Sequence, residues 1–156
     1  MGKVHHYKAS ITWQGNTGVG TQDYRSYSRN HEISTQGKPT IPGSSDPSFR
    51  GDQSRYTPED FLVASLSSCH MLWYLHLCAV NGVVVVDYFD DAEGEMEENP
   101  DGSGQFTKVI LNPRVTVADS SMFSKAQALH EDAHKMCFIA RSVNFPVLHQ
   151  PSVTAG

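Results

Sequence analysis

From Phe61 to Val80 apolar residues occupy most positions, interrupted by Ser65, Ser67, Ser68, His70 and His76. Just upstream, Thr57 is a good N-cap, Pro58 suits the first helical position, and Glu59 and Asp60 complement the positive end of the helix dipole. Asn81-Gly82 supplies a C-terminal stop. The pattern predicts a helix from Pro58 to Asn81, apolar nearly all round and therefore the central core helix on which everything else packs. The run is long enough to raise the question of a membrane span, but its polar residues and its lack of basic flanks point to a buried helix of a soluble protein.

Elsewhere the apolar period shortens. His5 to Trp13 alternates loosely and ends in Gln14-Gly15-Asn16-Thr17-Gly18, a strand followed by a turn, and Tyr24 to Ser34 predicts a further strand. Gly37 to Arg55 is rich in Pro, Gly, Ser and Asp and reads as an ordered loop rather than an element. Val83 to Tyr88 begins a strand that continues as Ala92, Gly94 and Met96 alternate with Asp91, Glu93, Glu95 and Glu97 on an acidic, solvated face. Asn99 to Gly104 is a hairpin turn, Val109, Leu111, Val115 and Val117 line one face of the returning strand, and Pro113 marks an edge or a bulge. Ser120 or Ser121 then caps a second helix, in which Met122, Ala126, Leu129, Ala133 and Met136 form a core stripe and Cys137 stands at the C-terminal end. Asn144 to Val153 predicts one last short strand. With 156 residues and no repeat or linker, the expectation is a single domain, 1–156, of class α+β.

Charge narrows the function classes. The 12 Lys and Arg residues never cluster and are outnumbered by 17 Asp and Glu, for a formal charge of −5. That balance lacks a nucleic-acid footprint, so no nucleic-acid partner is expected. The N-terminus has no apolar leader core, and His6 stands where a myristoylation signal would want Ser or Thr, so the reading is cytoplasmic with no membrane partner. Three Cys is an odd, small number that fits a reducing compartment better than a disulfide framework.

The thiols carry the chemistry. Cys78 lies nine residues after Cys69, which on a helix places it on the opposite face, so the two cannot bond within that helix. Cys137 is the only thiol in a different element, which selects Cys69 with Cys137 as a redox pair and leaves Cys78 to the core. An attacking thiol must be ionised near neutral pH, and a free thiol with a pKa of about 8.5 needs a nearby cation or dipole for that. Arg25, Arg29, Arg50 and Arg55 all precede the helix, and Glu59 has the chemistry to orient a guanidinium through a bidentate pair. Leu66 and Trp73 share the helix face of Cys69 and are candidates for an apolar pocket wall, whereas His70 and His76 read as packed core residues.

A competing signal is His130-Glu131-Asp132-Ala133-His134, a literal H-E-x-x-H on a helix, which in a zinc hydrolase would use His130 and His134 as ligands and Glu131 as base. The extended form of that motif fails, because Cys137 stands at its Gly position and Ala140 at its third His. A zinc site of His130, His134 and Cys137 on one helix face is the surviving version of this reading.

Pro58-Glu59 ten residues before Cys69, the small and apolar helix between them, and Ala133-His134-Lys135-Met136-Cys137 together resemble the OsmC/Ohr family of thiol peroxidases, and the resemblance covers the whole chain. It implies antiparallel sheets around a long central helix, an intertwined homodimer with its active sites at the subunit interface, and thiol-dependent reduction of organic hydroperoxides or hydrogen peroxide in organic hydroperoxide resistance and oxidative stress. By that likeness Cys69 matches the peroxide-attacking Cys, Cys137 the resolving Cys, and Glu59 the acid that holds the active-site Arg. Arg50 lies near the OsmC-branch position of that Arg, and Arg25 nearer the Ohr-branch one. Phe138 follows the second Cys where the family commonly has Pro. The implied cycle needs a peroxide substrate and a dithiol reductant and no cofactor or metal. A member of the family that binds a small apolar ligand without turnover is the alternative to catalysis.

Overall fold

Thr57 starts the long helix as its sequence predicts. Its Oγ1 accepts the Asp60 N–H at 3.1 Å while Asp60 Oδ2 accepts the Thr57 N–H at 2.9 Å, a reciprocal capping box that satisfies two otherwise orphaned donors. In the computed structural model, which describes residues 2–156, helix α1 then runs Pro58–Val80. The chain divides into two compact units, Met1–Phe61 and Leu62–Gly156.

In the first unit, β1 (Ser10–Trp13), β2 (His31–Ser34) and β3 (Ile41–Gly43) form an antiparallel sheet in sequence order. Two expectations are corrected here. The strand expected over Tyr24–Ser34 is confined to its last four residues, because side chains hold the preceding chain in turns. Asn16 Oδ1 accepts the Gly18 and Gly20 N–H groups, and the Arg29 guanidinium lies 4.5 Å from the Tyr24 ring and 4.0 Å from the Tyr27 ring while bonding both their carbonyls. The stretch from Gly37 to Arg55 is not loop throughout: it supplies β3 and a 3-10 turn over Pro47–Phe49, capped by Asp46.

In the second unit the chain passes back and forth between two three-stranded sheets. β4 (Val85–Asp90), β7 (Pro113–Val117) and β9 (Ser152–Ala155) form one in the order β4-β7-β9, and β5 (Glu93–Glu98), β6 (Gly104–Leu111) and β8 (Val147–His149) form the other in the order β5-β6-β8. The first pairing in each sheet is antiparallel, and β8 and β9 add on in parallel. The long strand expected over 83–97 is therefore two strands in different sheets, as is the returning strand over 109–117 and the last strand over 144–153. At the crossing points side chains satisfy the freed backbone: Asp90 Oδ1 accepts the Asn112 N–H at 2.6 Å and Asn112 Nδ2 bonds the Asp91 carbonyl at 2.9 Å. Pro113 follows at the start of a central strand, where its missing donor costs nothing. Gly94 lets β5 lie against α1, since a Cβ there would come 2.6 Å from Val63 Cγ2.

The second helix, α2, spans Phe123–Met136 after a 3-10 turn over Ser120–Met122. The cap expected at Ser120 or Ser121 is corrected: Asp119 caps the 3-10 turn by accepting the Ser121 N–H, and α2 itself follows Met122 with no side-chain cap. Ala126, Leu129 and Ala133 are buried as the stripe predicts, but Met136, in the last turn, is 45 % exposed. Nor is α1 buried all round. Its buried residues are Leu66, His70, Tyr74 and Cys78, one stripe at a spacing of four, while Leu72 is 63 % exposed. Although α1 is long and apolar enough to cross a membrane, its buried stripe carries polar side chains bonded to α2, so within this unit it acts as a core helix.

Candidate active site at a thiol pair

Two contacts clamp α1 to α2. Tyr74 Oη donates to the Ala126 carbonyl at 3.0 Å, and His70 Nε2 meets His130 Nδ1 at 3.0 Å, with the His130 ring stacked on Tyr74 at 3.8 Å between centroids. Cys69 immediately precedes His70 on α1. Cys137, the C-cap residue of α2, lies two turns beyond His130. The clamp thus brings the two thiols near each other, close enough for the Cys69 thiol to act on the titration of Cys137.

The two thiols are unequal. Cys69 is half-buried, whereas Cys137 is 1 % exposed. Burial pushes the Cys137 thiol up to about 11, the Cys69 thiol adds to that, and the Ala140 N–H, 3.4 Å from the Cys137 sulfur, opposes it. Cys137 is thus held as a neutral thiol near the half-buried Cys69. Cys78 takes no part: it is buried in the cluster formed by Tyr74, Val115, Val117 and Ala126, and that burial raises its pKa.

The remaining predicted residues belong to the first unit. Glu59 is half-buried in the first turn of α1. Arg25 is exposed in a turn, where its N–H bonds Asp23 Oδ1 at 2.7 Å. Arg50 is exposed at the end of the 3-10 turn with φ 63°, the one positive-φ residue other than glycine among the described residues. Of the four candidate cations, Arg29 is spent on Tyr24 and Tyr27, and Arg55 on Asp52 and the His31 carbonyl. No ion pair joins Glu59 to Arg25 or Arg50 among the described residues.

The H-E-x-x-H residues are engaged in packing. His130 is fully buried with Nδ1 on His70, and Glu131 pairs with Lys135 at 3.8 Å and with His149 at 3.3 Å. No group of three His, Cys, Asp or Glu among the described residues is arranged to hold a metal ion. The expectation that His76 is a core residue is corrected: it is exposed, with its ring edge-on to Trp73 at 5.8 Å. Leu66 is fully buried with Val109, Leu111 and Val147, so only Trp73 of the expected apolar wall remains. Sequence reasoning missed His149, whose ring lies 5.7 Å from His70 and 5.5 Å from His134. A histidine on a three-residue strand carries no periodic signal that would have exposed it.

A family model described as OsmC-like protein matches residues 51–150. An OsmC-like protein of unknown function from Vibrio cholerae is 32% identical, with a TM-score of 0.86 over 96% of this chain and 100% of that one. An organic hydroperoxide resistance protein OsmC from Legionella pneumophila shares the fold at 18% identity and a TM-score of 0.68, over 97% of this chain and 99% of that one. Another, from Elizabethkingia anophelis, does so at 16% identity and a TM-score of 0.67, over 97% and 99%. No curated protein matches the sequence. The family match covers well over half of the chain and includes Cys69 and Cys137, and the chain belongs to the OsmC-like protein family.

Proposed function

We propose that this protein is a thiol-dependent peroxidase that reduces organic hydroperoxides, and hydrogen peroxide, through Cys69 and Cys137. The observation that carries the reading is the nearness of a half-buried thiol and a buried one on two clamped helices. The Cys69 thiolate attacks the distal peroxide oxygen, forming an S–O bond as the O–O bond breaks, and the leaving oxygen takes a proton to depart as alcohol or water. The resulting sulfenic acid condenses with the neutral Cys137 thiol, which gives up its proton as water leaves and the disulfide forms. A dithiol reductant restores both thiols by exchange and is itself oxidised to a disulfide.

The ionising cation is assigned to Arg50, with Arg25 as the alternative and Glu59 as the carboxylate that orients it. Support for Arg50 is its left-handed backbone: such conformations cost energy and concentrate at functional sites. The working form is a homodimer, and the place of action the reducing cytoplasm.

Mass spectrometry of peroxide-treated protein tests the cycle. A Cys69–Cys137 disulfide is expected in the wild type, no peroxide consumption in Cys69→Ser, and a single turnover ending in over-oxidised Cys69 in Cys137→Ser. A disulfide that includes Cys78, or no intramolecular disulfide at all, removes the two-thiol cycle and favours ligand binding without turnover, whereas wild-type turnover in Cys69→Ser overturns the assignment of Cys69 as the attacking thiol.

A further inference from the structure

The surface beside the thiol pair is aromatic. Trp73 follows Cys69 by one helical turn on the same face, and Phe138 directly follows Cys137. Their rings meet edge-to-face at 5.5 Å between centroids. Trp73 is anchored, because it packs against the core cluster around Tyr74. Phe138 is 66 % exposed, yet its backbone is fixed: its carbonyl accepts the Ser142 hydroxyl at 2.7 Å and the preceding Cys137 carbonyl accepts the Arg141 N–H at 3.1 Å. An exposed ring on a pinned backbone needs little further ordering to meet a ligand.

Resting on the peroxidase reading, we infer that Trp73 and Phe138 form a wall that selects hydroperoxides bearing an aromatic ring next to the O–O bond. Both residues adjoin a thiol of the pair, so a peroxide placed on Cys69 carries its organic group past them. Ring edges are electropositive and ring faces electronegative, so two fixed rings reward a third ring beyond the area it buries, while a branched alkyl group gains only the area.

The test compares kcat/KM for cumene hydroperoxide and tert-butyl hydroperoxide, which differ by a phenyl for a methyl, in the wild type, Phe138→Ala and Phe138→Leu. The expected result is a cumene preference in the wild type that falls about fivefold in both variants, the scale of one aromatic pair. Leu keeps apolar bulk without a ring, so a merely space-filling Phe138 would leave the preference intact in that variant. In parallel, binding of the product 2-phenylpropan-2-ol is followed by the NMR shift of the Trp73 indole, with 2-methylpropan-2-ol as the ringless control. Turnover with an unchanged preference in both variants overturns the aromatic wall and leaves the peroxidase reading standing. No turnover with any peroxide, but ring-dependent binding that is lost in Phe138→Leu, overturns the peroxidase reading and keeps the wall. Neither ring-dependent turnover nor ring-dependent binding overturns the wall.

Discussion

His70 and His130 meet in the core of the second unit, and one proton held between Nε2 and Nδ1 satisfies both nitrogens. A second proton would set two N–H groups against each other across 3.0 Å inside the fold. Burial therefore pushes His70 down to about 4 and His130 down to about 3, with the neighbouring histidines adding to the effect. Above about pH 6.5 both rings are neutral in the folded and the unfolded chain, and the pair adds no pH dependence. Below it the unfolded chain takes up protons that the folded chain refuses, so stability falls with pH until the folded values are reached. The expected loss between pH 7 and pH 5 is on the order of 2 kcal/mol per ring. Denaturant midpoints measured across that range should drop in the wild type and drop less in His130→Gln; equal slopes would place the acid sensitivity elsewhere. Arg50 poses the opposite case, a residue whose backbone is strained at φ 63°. Glycine adopts that conformation freely, so Arg50→Gly should leave folding intact or improve stability by about 1 kcal/mol. Under the proposed mechanism the same variant slows peroxide consumption sharply. An unchanged rate in a folded Arg50→Gly protein would move the role to Arg25.

At the scale of elements, what could be read from the sequence depended on how local its cause is. The α1 start at Thr57 and Pro58 was legible because a capping box needs only four consecutive residues. The alignment of Ala126, Leu129 and Ala133 was legible because about two turns of helix repeat the same signal. Strand alternation, by contrast, does not say when the chain changes sheets. β4 and β5 read as one alternating run, and the hydrogen bonds of Asn112 to Asp90 and Asp91, 22 and 21 residues away, mark where the chain passes from one sheet to the other. The same limit hid the break between β8 and β9. Of the site, helix geometry excluded Cys78 and left Cys137 as the candidate partner of Cys69, and the Cys69 thiol is near enough to raise the pKa of Cys137. The clamp that sets their spacing was not legible, because His70, Tyr74 and His130 come together only when α1 packs on α2.

Across the whole molecule, apolar side chains left in solvent bear on assembly. Val80 at the end of α1 is 65 % exposed, Val84 51 %, Val86 58 % and Phe89 53 %. Val86 and Phe89 belong to β4, which is the outer strand of its sheet, with β7 on one side and no partner strand on the other among the described residues. A free strand edge with apolar neighbours is a template for further pairing unless something covers it, and proteins commonly cover or blunt such edges. The irregularity between Val85 and Asp87 interrupts the ladder on the β7 side. A second copy of the chain is the cover proposed here, and a standard interface would bury about 800 Å² on each partner. Sedimentation at micromolar concentration should therefore give twice the 17.2 kDa chain mass. Val86→Lys adds a charge to that surface without touching the core clusters, so it should shift the protein toward monomer while the His70–His130 clamp and the acid sensitivity remain. A wild type that sediments as a monomer would remove the dimer from the proposal. A Val86→Lys variant as dimeric as the wild type would move the interface away from β4.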